Sequence, residues 1–170
     1  MIQLLVDRIN SALGTVILVS DGSHLCALDF ADCETRMMKL LQKRYGQFDL
    51  IEDTVLPGFS QPIQDYFAGD YYSLDAIPVR TGGTPFQQQV WSTLRTIPAR
   101  TVISYRELAA KIGRPTAYRA VGMASSQNPV AIVLPCHRVI GVKARLTGYA
   151  GGIERKRWLL QHEGVDCSRF

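Results

Sequence analysis

Long apolar runs, signal-peptide features and paired cysteines are all missing from this 170-residue sequence. No stretch approaches the roughly 18 apolar residues that a membrane-spanning helix requires, so no membrane partner is expected. The opening residues 1–7 lack both a basic region and the long apolar core of a secretion signal, which points to the cytoplasm. Cys26, Cys33, Cys136 and Cys167 show no CxxC spacing, and in a reducing compartment they are expected as free thiols. His24, Cys26 and Cys33 are the only ligand-type group in the first half. They number three and sit on different predicted elements, which fits structural roles, and neither a metal nor a cofactor is expected.

Acidic residues are scarce in one half of the chain and basic residues in the other. Residues 1–85 hold six Lys and Arg against eleven Asp and Glu, whereas residues 86–170 hold thirteen against four. On charge alone, a solvated basic surface and a polyanion-binding face are equal readings of the second half. Thr81-Gly82-Gly83-Thr84-Pro85 lies where the balance changes sign and reads as a linker. The expected domains are therefore 1–83 and 84–170.

In the first half, residues 3–6, 16–19 and 25–30 read as strands, with Asp21-Gly22 as a hairpin turn. Residues 33–45 read as a helix with Met37, Leu40, Leu41 and Tyr45 on one face and Gly46 as its stop. A shorter helix is expected at 60–67 and a further strand at 76–79. In the second half, residues 85–97 carry Phe86, Val90, Trp91, Leu94 and Ile97 at helical spacing before Pro98. Ser104-Tyr105-Arg106-Glu107 has the S-x-x-E form of a capping box and opens a helix that Gly113 closes. Thr116 is expected to cap a second helix running to about Ser126. Two short helices around a Gly-containing turn read as a helix-turn-helix. The second carries Ala117, Ala120, Gly122 and Ala124 with one long cation, Arg119. Small residues suit close approach to a narrow groove with the arginine as a wedge; the alternative is that the alanines pack in a core.

Residues 130–134 read as a buried strand that delivers Pro135-Cys136-His137-Arg138-Val139. Neighbours in an extended segment point to opposite sides, so His137 is not expected to touch the Cys136 sulfur directly. A bridging water, or a sharp turn at Pro135, would couple them. A second acid is needed to orient the imidazole. Glu163, on a final helix over 153–163, is the candidate, against its plain reading as a solvated helix-end residue. A cysteine hydrolase is a rival use of the Cys-His pair, but the adjacent order and the basic helix-turn-helix speak against it.

Leu134-Pro135-Cys136-His137-Arg138-Val139-Ile140-Gly141 resembles the active-site signature of the O6-alkylguanine-DNA alkyltransferases, in their bacterial constitutive form. Thr84-Pro85-Phe86-Gln87 through Val90-Trp91, Ile97-Pro98, Ser104-Tyr105, Arg119-Ala120-Val121-Gly122 and Asn128-Pro129 are similar in order. So are Thr147-Gly148-Tyr149-Ala150-Gly151-Gly152, Lys156, Trp158-Leu159-Leu160 and His162-Glu163-Gly164. The likeness covers essentially all of 84–164. In the first half it is looser, through Ala12-Leu13-Gly14 and Tyr66-Phe67-Ala68-Gly69.

The resemblance implies a two-domain α/β fold: a small ribonuclease-H-like α/β N-terminal domain and a mostly α helix-turn-helix (winged-helix-like) C-terminal domain. It implies DNA repair by direct reversal, in which the alkyl group of O6-alkylguanine in double-stranded DNA passes once and irreversibly to Cys136. O4-alkylthymine is an open second substrate. His137, through a water and Glu163, would help form the thiolate, and Tyr105 would donate a hydrogen bond to the guanine ring. Arg119 would fill the gap left by the flipped nucleotide, while Ala117, Ala120 and Gly122 let the helix into the minor groove. Val139, Tyr149 and Ala150 would line the base pocket and Asn128 would brace the turn. No cofactor is implied, and the protein is expected as a monomer, with cooperative assembly along DNA left open. Two departures stand out: Tyr118 replaces a smaller residue, and residues 142–145 lack the glycine usual there. Relatives that only bind lesions carry Trp where Cys136 stands, so the intact cysteine opposes a purely binding role.

Overall fold

The structure, a computed structural model, describes residues 1–52, 54–141 and 145–170. Backbone proximity sorts the chain into two compact units: residues 1–82 with 129–133, and residues 83–128 with 134–170. Most of the turn noted at 142–145, namely Val142, Lys143 and Ala144, lies outside the described residues.

The first unit is built on a four-stranded sheet. Strands β1 (Ile2–Ser11), β2 (Gly14–Ser20) and β3 (Leu25–Phe30) form an antiparallel meander. Helix α1 (Glu34–Tyr45) crosses over to β4 (Phe48–Ile51), which pairs parallel to β1, giving the order β3-β2-β1-β4. Val16–Ser20 and all of β3 are buried, so both faces of the sheet centre are covered. Leu4, Val6, Ile17, Val19 and Ala27 form one cluster with Met37 and Leu41 of α1. Helix α2 (Pro57–Phe67) packs beside β1 and buries Phe59, Ile63 and Tyr66. Gly46 ends α1 at φ +70, where a Cβ would be strained.

The expected strand at 76–79 is not formed. A 3-10 turn occupies Ser73–Ala76, and Val79 makes a single bridge to Leu25. β4 was not anticipated, because its four residues alternate in burial without a long apolar run. Residues 130–134 are not a strand either. Val130 makes one bridge to Leu28, and Val133 N then donates to Ala131 O at 2.8 Å across Ile132, held at φ +70. A three-residue turn of that sign is uncommon and strained for a β-branched residue. The apolar run signals burial, and burial does not require a ladder.

The second unit is mostly helical. In α3 (Pro85–Leu94), Val90, Trp91 and Leu94 are buried. Its N-terminus carries a complete capping box: Thr84 Oγ1 accepts from Gln87 N at 3.1 Å, and Gln87 Oε1 accepts from Thr84 N at 3.0 Å. Just before it, Gly83 sits at φ +84, and a Cβ there would lie 2.6 Å from the Trp91 ring. Short strand β5 (Ile103–Ser104) leads into α4 (Tyr105–Lys111), where Ser104 Oγ accepts from Glu107 N at 3.0 Å without a return bond to Glu107. Only half of the expected box is therefore made.

Helix α5 (Tyr118–Ser126) starts from Ala117 with no side-chain cap. Thr116 does not cap it, because the Arg114 carbonyl draws Ala117 N into a preceding turn at 2.9 Å. Ala124 is buried, and its carbonyl accepts from Trp91 Nε1 at 2.8 Å, so this alanine belongs to the core and not to the exposed face. Strand β6 (Val139–Ile140) pairs parallel to β5, and α6 (Ile153–His162) closes the unit. Loss of the Thr84 cap is expected to matter on its own: Thr84→Ala should lower urea-unfolding stability by about 1 kcal/mol, and Thr84→Ser should restore most of it.

Candidate active site

The sequence places Cys136 after a proline, and the local chemistry there is a sharp turn. Cys136 N donates to Leu134 O at 2.8 Å around Pro135 (φ −82, ψ 65), and Cys136–Arg138 then form one 3-10 turn. Of the two geometries weighed from the sequence, the sharp turn at Pro135 is the one formed, and not an extended segment. Asn128 is buried and braces it, with Nδ2 donating to Leu134 O at 2.7 Å and to Cys136 Sγ at 3.2 Å. The half-buried sulfur thus receives an amide hydrogen bond.

His137 is fully buried and its Nε2 lies 2.8 Å from Glu163 Oε2. Arg138 grips the same carboxylate, with Nε to Oε1 at 2.8 Å and Nη2 to Oε2 at 3.0 Å, while its Nη1 donates to Ile97 O at 2.6 Å. Burial alone would push the Glu163 carboxyl up, but His137 and Arg138 together hold it well below the usual carboxylate range. Burial pushes the His137 imidazole below its ordinary value despite the opposing pull of Glu163. A neutral ring beside an ionised carboxylate carries its proton on Nε2, leaving Nδ1 as the basic lone pair. That Nδ1 is buried without a hydrogen-bond partner among the described residues. Glu163 is therefore no solvated helix-end residue.

Tyr105 sits at the start of α4, and its ring lies near the point where a Cβ on Gly122 of α5 would project, about 3.9 Å away. Burial first, and the Cys136 charge second, push its hydroxyl up to about 12, so it remains a donor at neutral pH. A cleft of about 230 Å³ is lined by Tyr105, Arg106, Tyr118, Arg119 and Gly122. Arg119 and Ala120 are exposed, and Ala117 and Gly122 are half-buried. Tyr118 lies under the Arg106 guanidinium, 4.3 Å from ring centroid to Cζ, which gives the unexpected tyrosine a local partner. The Val139 side chain is in the core, so only its backbone is available to a ligand; Tyr149 is buried and Ala150 exposed.

Two residues escaped sequence reasoning as members of the site. Arg138 and Lys156 were given no role of their own in the sequence reading, yet both are buried. Lys156 Nζ donates to Val139 O at 2.5 Å and to Thr147 O at 2.8 Å, tying β6 to the loop that carries Tyr149. Burial pushes the Lys156 ammonium down to about 8, with Cys136 pulling the other way. The only sequence signal for either was membership in the motif segments. Among the described residues, no three His, Cys, Asp or Glu side chains are grouped to hold a metal, and no helix is long and apolar enough to cross a membrane.

Comparisons with known proteins match this chain to two family models. Residues 5–81 fit the ribonuclease-like domain of 6-O-methylguanine DNA methyltransferase, and residues 85–165 fit its DNA binding domain. A methylated-DNA–protein-cysteine methyltransferase of Shigella flexneri is 46% identical over 167 residues, spanning 96% of this chain and 98% of its own. The crystal structure of Mycobacterium tuberculosis OGT in complex with DNA is similar at 37% identity and TM-score 0.76, covering 95% of this chain and 92% of that one. The O6-methylguanine-DNA methyltransferase of Pyrococcus kodakaraensis KOD1 superposes with TM-score 0.68 at 27% identity, over 95% of this chain and 99% of that one.

The Glu163 carboxyl titrates lower in the folded chain than in the unfolded one. Its contribution to stability is therefore complete above the ordinary value of 4.5 and is lost as pH falls through the depressed folded value. Glu163→Gln should flatten this acid limb in urea-unfolding experiments across pH. At pH 7 it should cost about 3 to 5 kcal/mol, because Arg138 is left buried and unpaired.

Proposed function

The chain belongs to the 6-O-methylguanine DNA methyltransferase family, and on that premise we propose that it repairs double-stranded DNA by moving the alkyl group of O6-alkylguanine onto Cys136. The observation that carries the assignment is the Cys136 sulfur, bonded by Asn128 and adjacent in sequence to a buried His137–Glu163 pair whose free nitrogen is basic.

In the proposed reaction the thiol proton leaves for His137 Nδ1 through a bridging water, and Glu163 stabilises the imidazolium that forms. A thiolate is the soft nucleophile that attack on an O-alkyl carbon requires. Sulfur bonds to that carbon as the carbon–oxygen bond breaks, and the electron pair stays on the guanine. The Tyr105 hydroxyl, still protonated at neutral pH, donates to the ring where negative charge develops. A thioether is stable under mild conditions and no second nucleophile is part of the site, so each molecule works once.

The alkylated base must leave the stack, at a cost on the order of a few kcal/mol. The assigned device is α5: Ala117, Ala120 and Gly122 permit close approach to the minor groove, and the exposed Arg119 occupies the gap. The Val139 backbone, Tyr149 and Ala150 receive the base, and Asn128 holds the turn. The functional division falls at 83/84, with the DNA-binding and acceptor residues all in 84–170. A monomer suffices for this chemistry, and its place is the cytoplasm, where cysteines are kept as thiols.

Incubation with duplex DNA carrying radiolabelled O6-methylguanine should leave one methyl on the protein, mapped by peptide mass spectrometry to Cys136. Cys136→Ala should accept none, and uptake by that variant would overturn the mechanism. Tight binding of the lesion by the wild-type protein with the methyl left on DNA would replace it by a lesion-binding role. Tyr105→Phe should retain single-turnover transfer at a rate lower by about a hundredfold.

A further inference from the structure

Helix α5 carries an exposed apolar side chain that the reaction above does not use. Met123 is 62% exposed, the only large apolar residue on an otherwise small-residue, solvent-facing stripe. It follows Arg119 by four residues, one helical turn and about 6 Å along the axis, so both side chains leave the same face. Ala120, also exposed, lies between them. The far side of the helix is committed to the core through Val121, Ala124 and Ser125. The Met123 sulfur accepts from the Ser126 hydroxyl at 3.8 Å, and its backbone carbonyl accepts from that hydroxyl at 2.6 Å and from Gln127 N at 3.2 Å, so these bonds stay within the end of the helix.

We propose that Met123 is a second minor-groove contact, an apolar side chain that lies along the deoxyribose edges beside the nucleotide displaced by Arg119. This rests on the alkyltransferase assignment and adds a residue that sets affinity for duplex DNA. An exposed methionine at the centre of a functional helix has an unfavourable contact with water that a sugar edge relieves. The side chain is unbranched and adapts to irregular apolar surfaces, which suits a groove only about 6 Å wide in B-form DNA. Methionine also belongs to the set of wedge residues that hold a minor groove open. Arg119 supplies charge and Met123 supplies apolar area, so the two leave different signatures. A contact with phosphate changes the salt dependence of binding, whereas an apolar one does not.

The test is equilibrium binding of a short, unmodified fluorescent duplex across a salt series. Wild type, Met123→Ala, Met123→Leu and Arg119→Ala are compared, each checked by thermal unfolding. Met123→Ala should weaken binding about fivefold at every salt concentration with an unchanged log–log slope. Met123→Leu should recover binding to within about twofold. Arg119→Ala should instead reduce the slope by about one. Met123→Ala binding as tightly as wild type, with an unaltered melting temperature, overturns the contact. So does a parallel fall in methyl transfer from free O6-methylguanine base, which would place the defect at the sulfur. Methyl uptake by the wild type from lesion-bearing duplex is measured alongside: its failure would sink the alkyltransferase assignment and the contact with it, whereas its success with an indifferent Met123→Ala sinks the contact alone.

Discussion

A single buried carboxylate organises the chemical half of this molecule. Glu163 has no access to solvent, and an isolated charge there would be prohibitively costly. It is tolerated because His137 and Arg138, neighbours on one turn, satisfy both oxygens. The same arrangement fixes the end of α6 against the cysteine turn and dictates which imidazole nitrogen holds the proton. Structural and chemical demands thus fall on the same atoms. Removing the acid would leave the arginine unpaired and free the imidazole to adopt the other tautomer.

Around that centre, backbone carbonyls are held by side chains rather than by regular secondary structure. Asn128 takes the Leu134 carbonyl, Lys156 takes those of Val139 and Thr147, and Arg138 takes that of Ile97. Each carbonyl lies in a segment too short or too bent to satisfy itself through a ladder or a helix. Irregular backbone near a reactive sulfur is stable only if its polar groups find such partners. The outcome is a set of turns around the cysteine, with long buried cations acting as ties.

Helix α5, proposed above to face DNA, has the opposite design. Its inner side is packed and its outer side presents small residues, one arginine and one methionine. A helix that reads base edges would need several hydrogen-bonding side chains there. What this face offers instead is shape, one charge and a limited apolar area. That suits recognition of any duplex, with the choice of damaged base left to the pocket and the sulfur.

The sequence by itself determined the elements with strong local signals. The β2–β3 hairpin, α1 with its glycine stop, α3 and the basic second half were readable from period, turn chemistry and charge. So was the pairing of His137 with Glu163, proposed as a candidate and implied by resemblance. Only the tertiary structure decided that residues 130–134 turn instead of forming a strand, that Ala117 and not Thr116 begins α5, and that Ala124 is core. It also decided that Arg138 and Lys156 are buried. The physical reason is common to all four. A run of apolar residues, a capping hydroxyl or a lysine is compatible with several environments, and which one it occupies depends on partners brought near by residues far away in the chain. Hydrogen-bond satisfaction between distant segments carries no local period, so no reading of neighbours along the sequence can supply it.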